Sequence, residues 1–174
     1  MNQFDTYLAE YRKQLEKGVV AAAYKGLMQY FAQLRLQLEK KHPDYFLSGS
    51  IHEGQMDYTY FYFFPKTLRQ QKLKVVILFT HSTFNFQILL AGYNRVVQAK
   101  YWNLLKENGW NKHPLAPSIK GFDYITHQTL IDKPDFSNLD ALTKQIEMGT
   151  LAFINDVESF LANQKSSLNQ ESKK

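Results

Sequence analysis

The sequence predicts an α+β fold: a mostly antiparallel sheet of four or five strands, packed by N-terminal helices, by a helix after strand four and by a long C-terminal helix. Both ends of the chain repeat apolar residues at three- and four-residue spacing, which is the period of an amphipathic helix. The middle of the chain instead alternates with the two-residue period of strands. Since most of these strands follow one another without intervening helices, antiparallel pairing is favoured over a parallel sheet.

Two helices, or one bent helix, are expected over the first 41 residues. The first apolar series is Phe4, Leu8, Tyr11 and Leu15. Gly18 interrupts the pattern, which ends or kinks the helix. A second series at the same spacing consists of Val20, Tyr24, Leu27, Phe31, Leu34 and Leu38. Pro43 closes it, because the residue before a proline disfavours the helical conformation.

Four strands are predicted between residues 44 and 92, as two hairpins with turns at 52–55 and 80–83. In the second strand Tyr58, Tyr60 and Tyr62 alternate with bulky residues on the other face, including Phe61 and Phe63. Both faces therefore need cover, which predicts a strand that is central or buried on both sides. Core packing of the tyrosines is favoured over a stacking platform for bases.

The remaining elements are a helix, a fifth strand and a final helix. The first of these helices is predicted from about residue 94 to 108, where Asn108 and Gly109 end it. The fifth strand is predicted at 121–131. The final helix is expected to begin at the capping pair Ser137 and Asp140. Its apolar series is Leu139, Leu142, Ile146, Phe153, Val157 and Phe160.

Length and composition bound the class of protein. A single domain is expected over residues 1–162, with a disordered polar tail over 163–174. The chain has no cysteine, which excludes disulfides and cysteine-based zinc sites. We expect a cytoplasmic protein without membrane contact, because no signal-peptide-like segment and no run of about 18 apolar residues occurs. The net charge of +5 permits attraction to nucleic acid without requiring it, since the basic residues are scattered.

Several separated blocks of the chain resemble a family of small bacterial proteins of unknown function. The resemblance runs from about Phe4 to Leu161. The blocks are "YKGLMQY", "HPDYFLSGSIHEGQMDYTYFYFFP", "LAGYNRVVQAKYW" and "DFSNLDALTKQIEMGTLAFINDVE". The resemblance implies a stand-alone cytoplasmic bacterial domain, and it carries no activity, cofactor or catalytic residue to this sequence.

The helix at 94–108 has an apolar face and a separate aromatic and basic stripe. Val97, Tyr101 and Leu104, flanked by Leu105, should lie on the sheet. A second stripe, centred about 110° away around the helix, consists of Arg95, Gln98, Trp102 and Lys106. Three explanations of Trp102 remain open: cover by another helix, most simply an N-terminal one; a pocket shared with Arg95 and Gln98; or an anchor for a partner protein.

Two polar residues precede this helix at an end that attracts anions. Asn94 is favoured there as a plain N-cap, although Tyr93 and Asn94 also lie beside free backbone amides. The predicted ligand-binding residues are Tyr93, Asn94, Arg95, Gln98 and Trp102. The leading hypothesis is a non-enzymatic binding module for a small anionic ligand or a protein partner.

Two other classes of function stay open. The alternative is a weak nucleic-acid-binding protein that uses Lys66, Arg69, Lys72, Lys74, Arg95 and Lys100. An enzyme is the third candidate, because no acid, base and nucleophile can be assembled from the motifs. No cofactor and no metal site is predicted. His52, Glu53 and His81 would come together only if both hairpin turns lie at the same sheet edge. The favoured interpretation is that these turn residues are simply solvated.

Overall fold

The computed structural model describes residues 2–171, without the side chains of Ser48 and of residues 165–171. Five helices and five strands lie in this part of the chain. In chain order they are α1 (Gln3–Glu16), α2 (Val19–Lys41), β1 (Phe46–His52), β2 (Tyr58–Phe64), α3 (Lys66–Gln70), β3 (Leu73–Thr80), β4 (Asn85–Gly92), α4 (Arg95–Glu107), β5 (Thr126–Ile131) and α5 (Leu139–Glu171).

The strands form one antiparallel sheet in the order β1-β2-β3-β4-β5. Each strand pairs with the next along the chain, so the sheet is a meander with β3 at its centre. The predicted fold class is confirmed, with five strands. The short helix α3 was not predicted from the basic connector between the two hairpins.

One face of the sheet packs on α2 and α5 and forms an aromatic core. Phe31 of α2 contacts Phe61, Phe79 and Phe86 at ring-centroid distances of 5.7 to 6.4 Å. Phe153 of α5 is fully buried in the same cluster. Because side chains alternate along a strand, the residues between these phenylalanines point to the opposite face. That face carries Tyr60 and Tyr62, which are only half-buried.

The predicted core packing of the strand β2 tyrosines is therefore wrong. Phe61 and Phe63 are fully buried, whereas Tyr58 is 49% exposed and its two neighbours on that face line a cleft. The predicted two-residue alternation is present in β2. The helices α2 and α5 pack on only one face of the sheet, so they do not enclose the bulky residues on the other face.

Helix α4 begins and packs as its sequence predicts. The Asn94 side chain accepts a hydrogen bond of 2.9 Å from the backbone N–H of Val97, which is an N-cap. Val97, Tyr101 and Leu104 all pack against the core. Leu105, predicted to flank this face, is fully buried beside them.

The two ends of the chain differ in how they pack. Helix α1 contains no buried residue, and Gly18, with φ of 73°, separates it from α2. Helix α5 is capped by Asn138, whose side chain accepts from the Ala141 backbone N–H, and not by the predicted Ser137. The helix continues to Glu171; the end of the predicted tail, 172–174, lies outside the described residues, and disorder over 163–174 stays a prediction. No helix in the described range has the length and apolarity to cross a bilayer.

Candidate functional site

The sheet face opposite α2 and α5 forms the floor of an open cleft with a volume of about 1150 Å³. Its floor carries the aliphatic residues Val76, Leu78, Leu89 and Ala91, together with the amide of Gln87. Its walls are the β1–β2 turn, the start of α4 and the loop at 121–124. We call this space the sheet cleft. The cleft thus combines an apolar part of the floor with polar and charged side chains in its walls, and polar groups that converge beside an apolar surface are one feature of small-molecule sites.

Lys74 is a lysine on the sheet face that forms the cleft, whose lining also includes the charged residues Glu53, Asp57, Arg95 and Asp123. Its side chain is half-buried, and its Nζ atom lies 4.1 Å from the centre of the Tyr62 ring. Among the described residues, no carboxylate approaches Nζ to ion-pair distance. Burial lowers the pKa of Lys74, while electrostatic interactions with Tyr60 and Asp123 act in the opposite direction. The lysine side chain is therefore partly removed from water, and its ammonium has no anionic partner in contact.

Aromatic rings and hydroxyls surround this ammonium. His52 stacks on Tyr60 with ring centroids 4.6 Å apart and planes 12° apart, and Tyr60 lies 5.6 Å from Tyr62. Burial raises the pKa of Tyr60, and the Tyr62 hydroxyl adds to this rise. The Tyr60 phenol thus keeps its proton at neutral pH, where it can donate a hydrogen bond to a ligand.

Two of the predicted ligand-binding residues hold the loop that forms one wall. Arg95 donates from Nη1 to the Phe122 carbonyl oxygen at 2.6 Å and pairs through Nη2 with the Asp123 carboxylate at 2.7 Å. Gln98, which is buried, donates to the same carbonyl at 2.7 Å. Both side chains line the sheet cleft, but their donor groups are engaged by the 121–124 loop. Their position makes them wall-forming residues.

The other predicted residues divide between the cleft and the core. Tyr93 and Asn94 line the sheet cleft. Trp102 does not: its indole N–H donates to the Ala116 carbonyl at 2.8 Å, and its half-buried ring packs against the core. Lys106 lies 4.5 Å above that ring. The cover over Trp102 thus includes the segment around Ala116, and four of the five predicted residues are brought together.

The first half of the predicted fifth strand is loop. Residues 121–125 precede β5. The Phe122 carbonyl oxygen accepts hydrogen bonds from Arg95 and Gln98 of α4. In a strand, this oxygen would accept from the backbone of a neighbouring strand. The alternation of residues in this segment does not predict these side-chain hydrogen bonds, because their donors lie 24 or more residues earlier in the chain. The loop places Phe122 and Tyr124 at the sheet cleft.

One family model matches most of this chain. The model of a domain of unknown function, DUF7000, matches residues 4–161. The chain belongs to the DUF7000 family. No curated protein and no solved structure matches the chain. The resemblance to an uncharacterised family is therefore confirmed.

Sequence patterns missed the most informative residues of this DUF7000 domain. Lys74 is predicted only as one of the basic residues of the nucleic-acid alternative, but its side chain lines the sheet cleft. One signal was available: it is a lysine within an otherwise apolar central strand. Thr80 gave no signal, yet it is a lining residue of the cleft, and its buried hydroxyl has no hydrogen-bond partner in the described part of the chain.

The two turn histidines lie on opposite faces of the sheet. His52 stacks on Tyr60 in the sheet cleft, whereas His81 lies 5.1 Å from Phe79 on the core side and contacts the Thr59 hydroxyl at 2.9 Å. They therefore do not share a site. Within residues 2–171, no group of three or more His, Asp or Glu side chains is placed to hold a metal ion.

Proposed function

We propose that this DUF7000 protein binds a small organic anion in the sheet cleft. The observation that carries the proposal is the half-buried Lys74 ammonium, which has no carboxylate partner among the described residues. Removing an ammonium from water is costly unless an opposite charge or hydrogen-bond acceptor compensates. A ligand carboxylate at Lys74 would supply that compensation.

The surroundings of Lys74 favour a flat and partly apolar body on the anion. The aliphatic part of the floor beneath it gives a dry contact surface, and the rings of Tyr60, Tyr62 and Phe122 provide faces and edges for stacking. The phenol of Tyr60 can donate to a second carboxylate oxygen. Aryl carboxylates combine these properties.

Thermal-shift and calorimetric titrations with chosen probes test the proposal. Benzoate and phenylacetate should raise the melting temperature, whereas the uncharged isostere benzamide should not. Lys74→Met should abolish the anion-dependent shift, because only the ammonium is removed. Each variant is compared with its own ligand-free state, since removing a partly buried charge changes stability by itself.

Lys100→Met is the matched control. Lys100 also contacts an aromatic ring, with its Nζ atom 5.4 Å from the Tyr101 ring centre, but it is exposed and outside the cleft. Its loss should leave the shift unchanged. Failure of all aryl carboxylates at millimolar concentration, or an equal shift in Lys74→Met, overturns the proposal. Oligonucleotide binding that falls steeply with salt would support the nucleic-acid alternative instead.

A further inference from the structure

Helix α1 presents an apolar face that nothing in the described residues covers. Phe4, Tyr7 and Tyr11 are each at least 60% exposed, and Leu8 and Leu15 are more than 40% exposed. Phe4, Leu8, Tyr11 and Leu15 follow the alternating four- and three-residue spacing of a coiled-coil seam. A 14-residue helix is marginal in water without packing of such a face. This helix therefore lacks the contact that would stabilise it.

A groove of about 530 Å³ lies beside this face, between α1 and α2. Tyr11 and Leu15 line it from α1, Val20 and Tyr24 line it from α2, and Met56 closes it from the β1–β2 turn. Val20 and Met56 are also exposed hydrophobic residues. The seam and the groove form one continuous apolar surface, which we call the hairpin surface.

We propose that the hairpin surface is the interface of a homodimer, in which α1 of each copy packs into the groove of the other. The large hydrophobic side chains left exposed there amount to roughly 700 Å², close to the ~800 Å² that each partner buries in a standard interface. In a two-fold dimer the same patch serves both copies. The surface thus has the size and composition that a second copy needs.

The charges along the groove favour a second copy as the occupant. Glu10 lines the groove from α1, and Lys25 lines it from α2. In a two-fold dimer every contact between the copies occurs twice, with the roles of the copies exchanged. Glu10 of each copy can therefore meet Lys25 of the other copy. The groove therefore contains one acidic and one basic residue that can pair with the same groove of a second copy. A groove with charges of only one sign would instead favour a partner of opposite charge.

Sedimentation velocity over a concentration series tests the dimer. The wild-type chain should approach about twice its mass of 20.4 kDa as concentration rises. The double variant Tyr7→Glu, Tyr11→Glu should remain monomeric and folded, because α1 contains no buried residue in the single copy. Met148→Glu is the matched control: Met148 is 61% exposed on α5, away from the hairpin surface, and should dimerise like the wild type.

A charge exchange tests the arrangement of the interface. Glu10→Lys and Lys25→Glu should each weaken self-association, since each places like charges together twice. An equimolar mixture of the two variants should restore a dimer. A wild-type chain that stays monomeric at every concentration overturns the proposal, as does a double Tyr→Glu variant that still dimerises or a variant mixture that stays monomeric. None of these outcomes depends on ligand binding in the sheet cleft.

Discussion

The Lys74 ammonium lies 4.1 Å from the centre of the Tyr62 ring, on the sheet face opposite the phenylalanine core. The two residues come from the neighbouring strands β3 and β2. A cation above an aromatic face gains about 0.5–2 kcal/mol, but the Tyr62 ring carries no full negative charge to pair with the half-buried lysine. The ring therefore orients the lysine without satisfying its charge. This imbalance is the physical basis of the proposed anion site.

The first prediction concerns the pH dependence of anion binding. An anion requires protonated Lys74, so affinity should be constant below the pKa of the free protein's lysine and fall by about tenfold per pH unit above it. Because burial lowers that pKa, with Tyr60 and Asp123 opposing, the fall should begin below the ordinary value of 10.5. Calorimetric titration of phenylacetate between neutral and alkaline pH measures it.

Lys74→Arg provides the control for this pH dependence. A guanidinium keeps its charge throughout the range, so binding by this variant should extend to higher pH than in the wild type. The ligand-free protein carries the opposite dependence: a lysine whose pKa is lowered by folding makes the fold more stable as pH rises toward 10.5. Wild-type affinity that stays flat through pH 10.5 would contradict the assignment of Lys74 as the anion-binding group.

The second prediction separates Trp102 from the site. Trp102→Phe removes the indole donor to the Ala116 carbonyl and should lower the free energy of unfolding by about 1–2 kcal/mol. Its ligand-induced melting shift should equal that of the wild type, because the ring lies outside the sheet cleft. Gln98→Leu should instead reduce the shift, since Gln98 fixes the Phe122 carbonyl of the cleft wall. If Trp102→Phe loses the ligand-induced melting shift, the prediction is wrong and Trp102 contributes to the ligand-binding site.

The third prediction concerns the approach of α4 to the sheet. A Cβ atom at Gly92 would lie 2.5 Å from the backbone nitrogen of Gln98 and 2.9 Å from its Cα, so the helix start would have to move. Gly92→Ala should therefore destabilise the fold by about 1–3 kcal/mol in chemical denaturation. Gly26→Ala is the matched control: it meets no atom within 4 Å in helix α2 and should be neutral or stabilising by about 0.5–1 kcal/mol. Equal effects of the two changes would refute the close contact.

Local patterns were sufficient for most elements and for the orientation of α4, but not for the short helix α3 or for the loop at 121–125. The Asn94 cap and the packing of Val97, Tyr101 and Leu104 follow from side-chain chemistry and helical spacing within a few residues. The site required longer-range information. Arg95 and Gln98 form a wall of the cleft because they reach Phe122, and no pattern within either segment records that contact.

The sequence by itself determined the α+β class, the antiparallel hairpins and four residues that line the sheet cleft, because periodicity, capping and turn chemistry act over short separations. Only the tertiary structure decided which sheet face the helices cover. Bulky side chains stand on both faces of β2, so its pattern is compatible with burial of either one. Packing of α2 and α5 on the phenylalanine face enclosed Phe61 and left Tyr60, Tyr62 and Lys74 to line the sheet cleft.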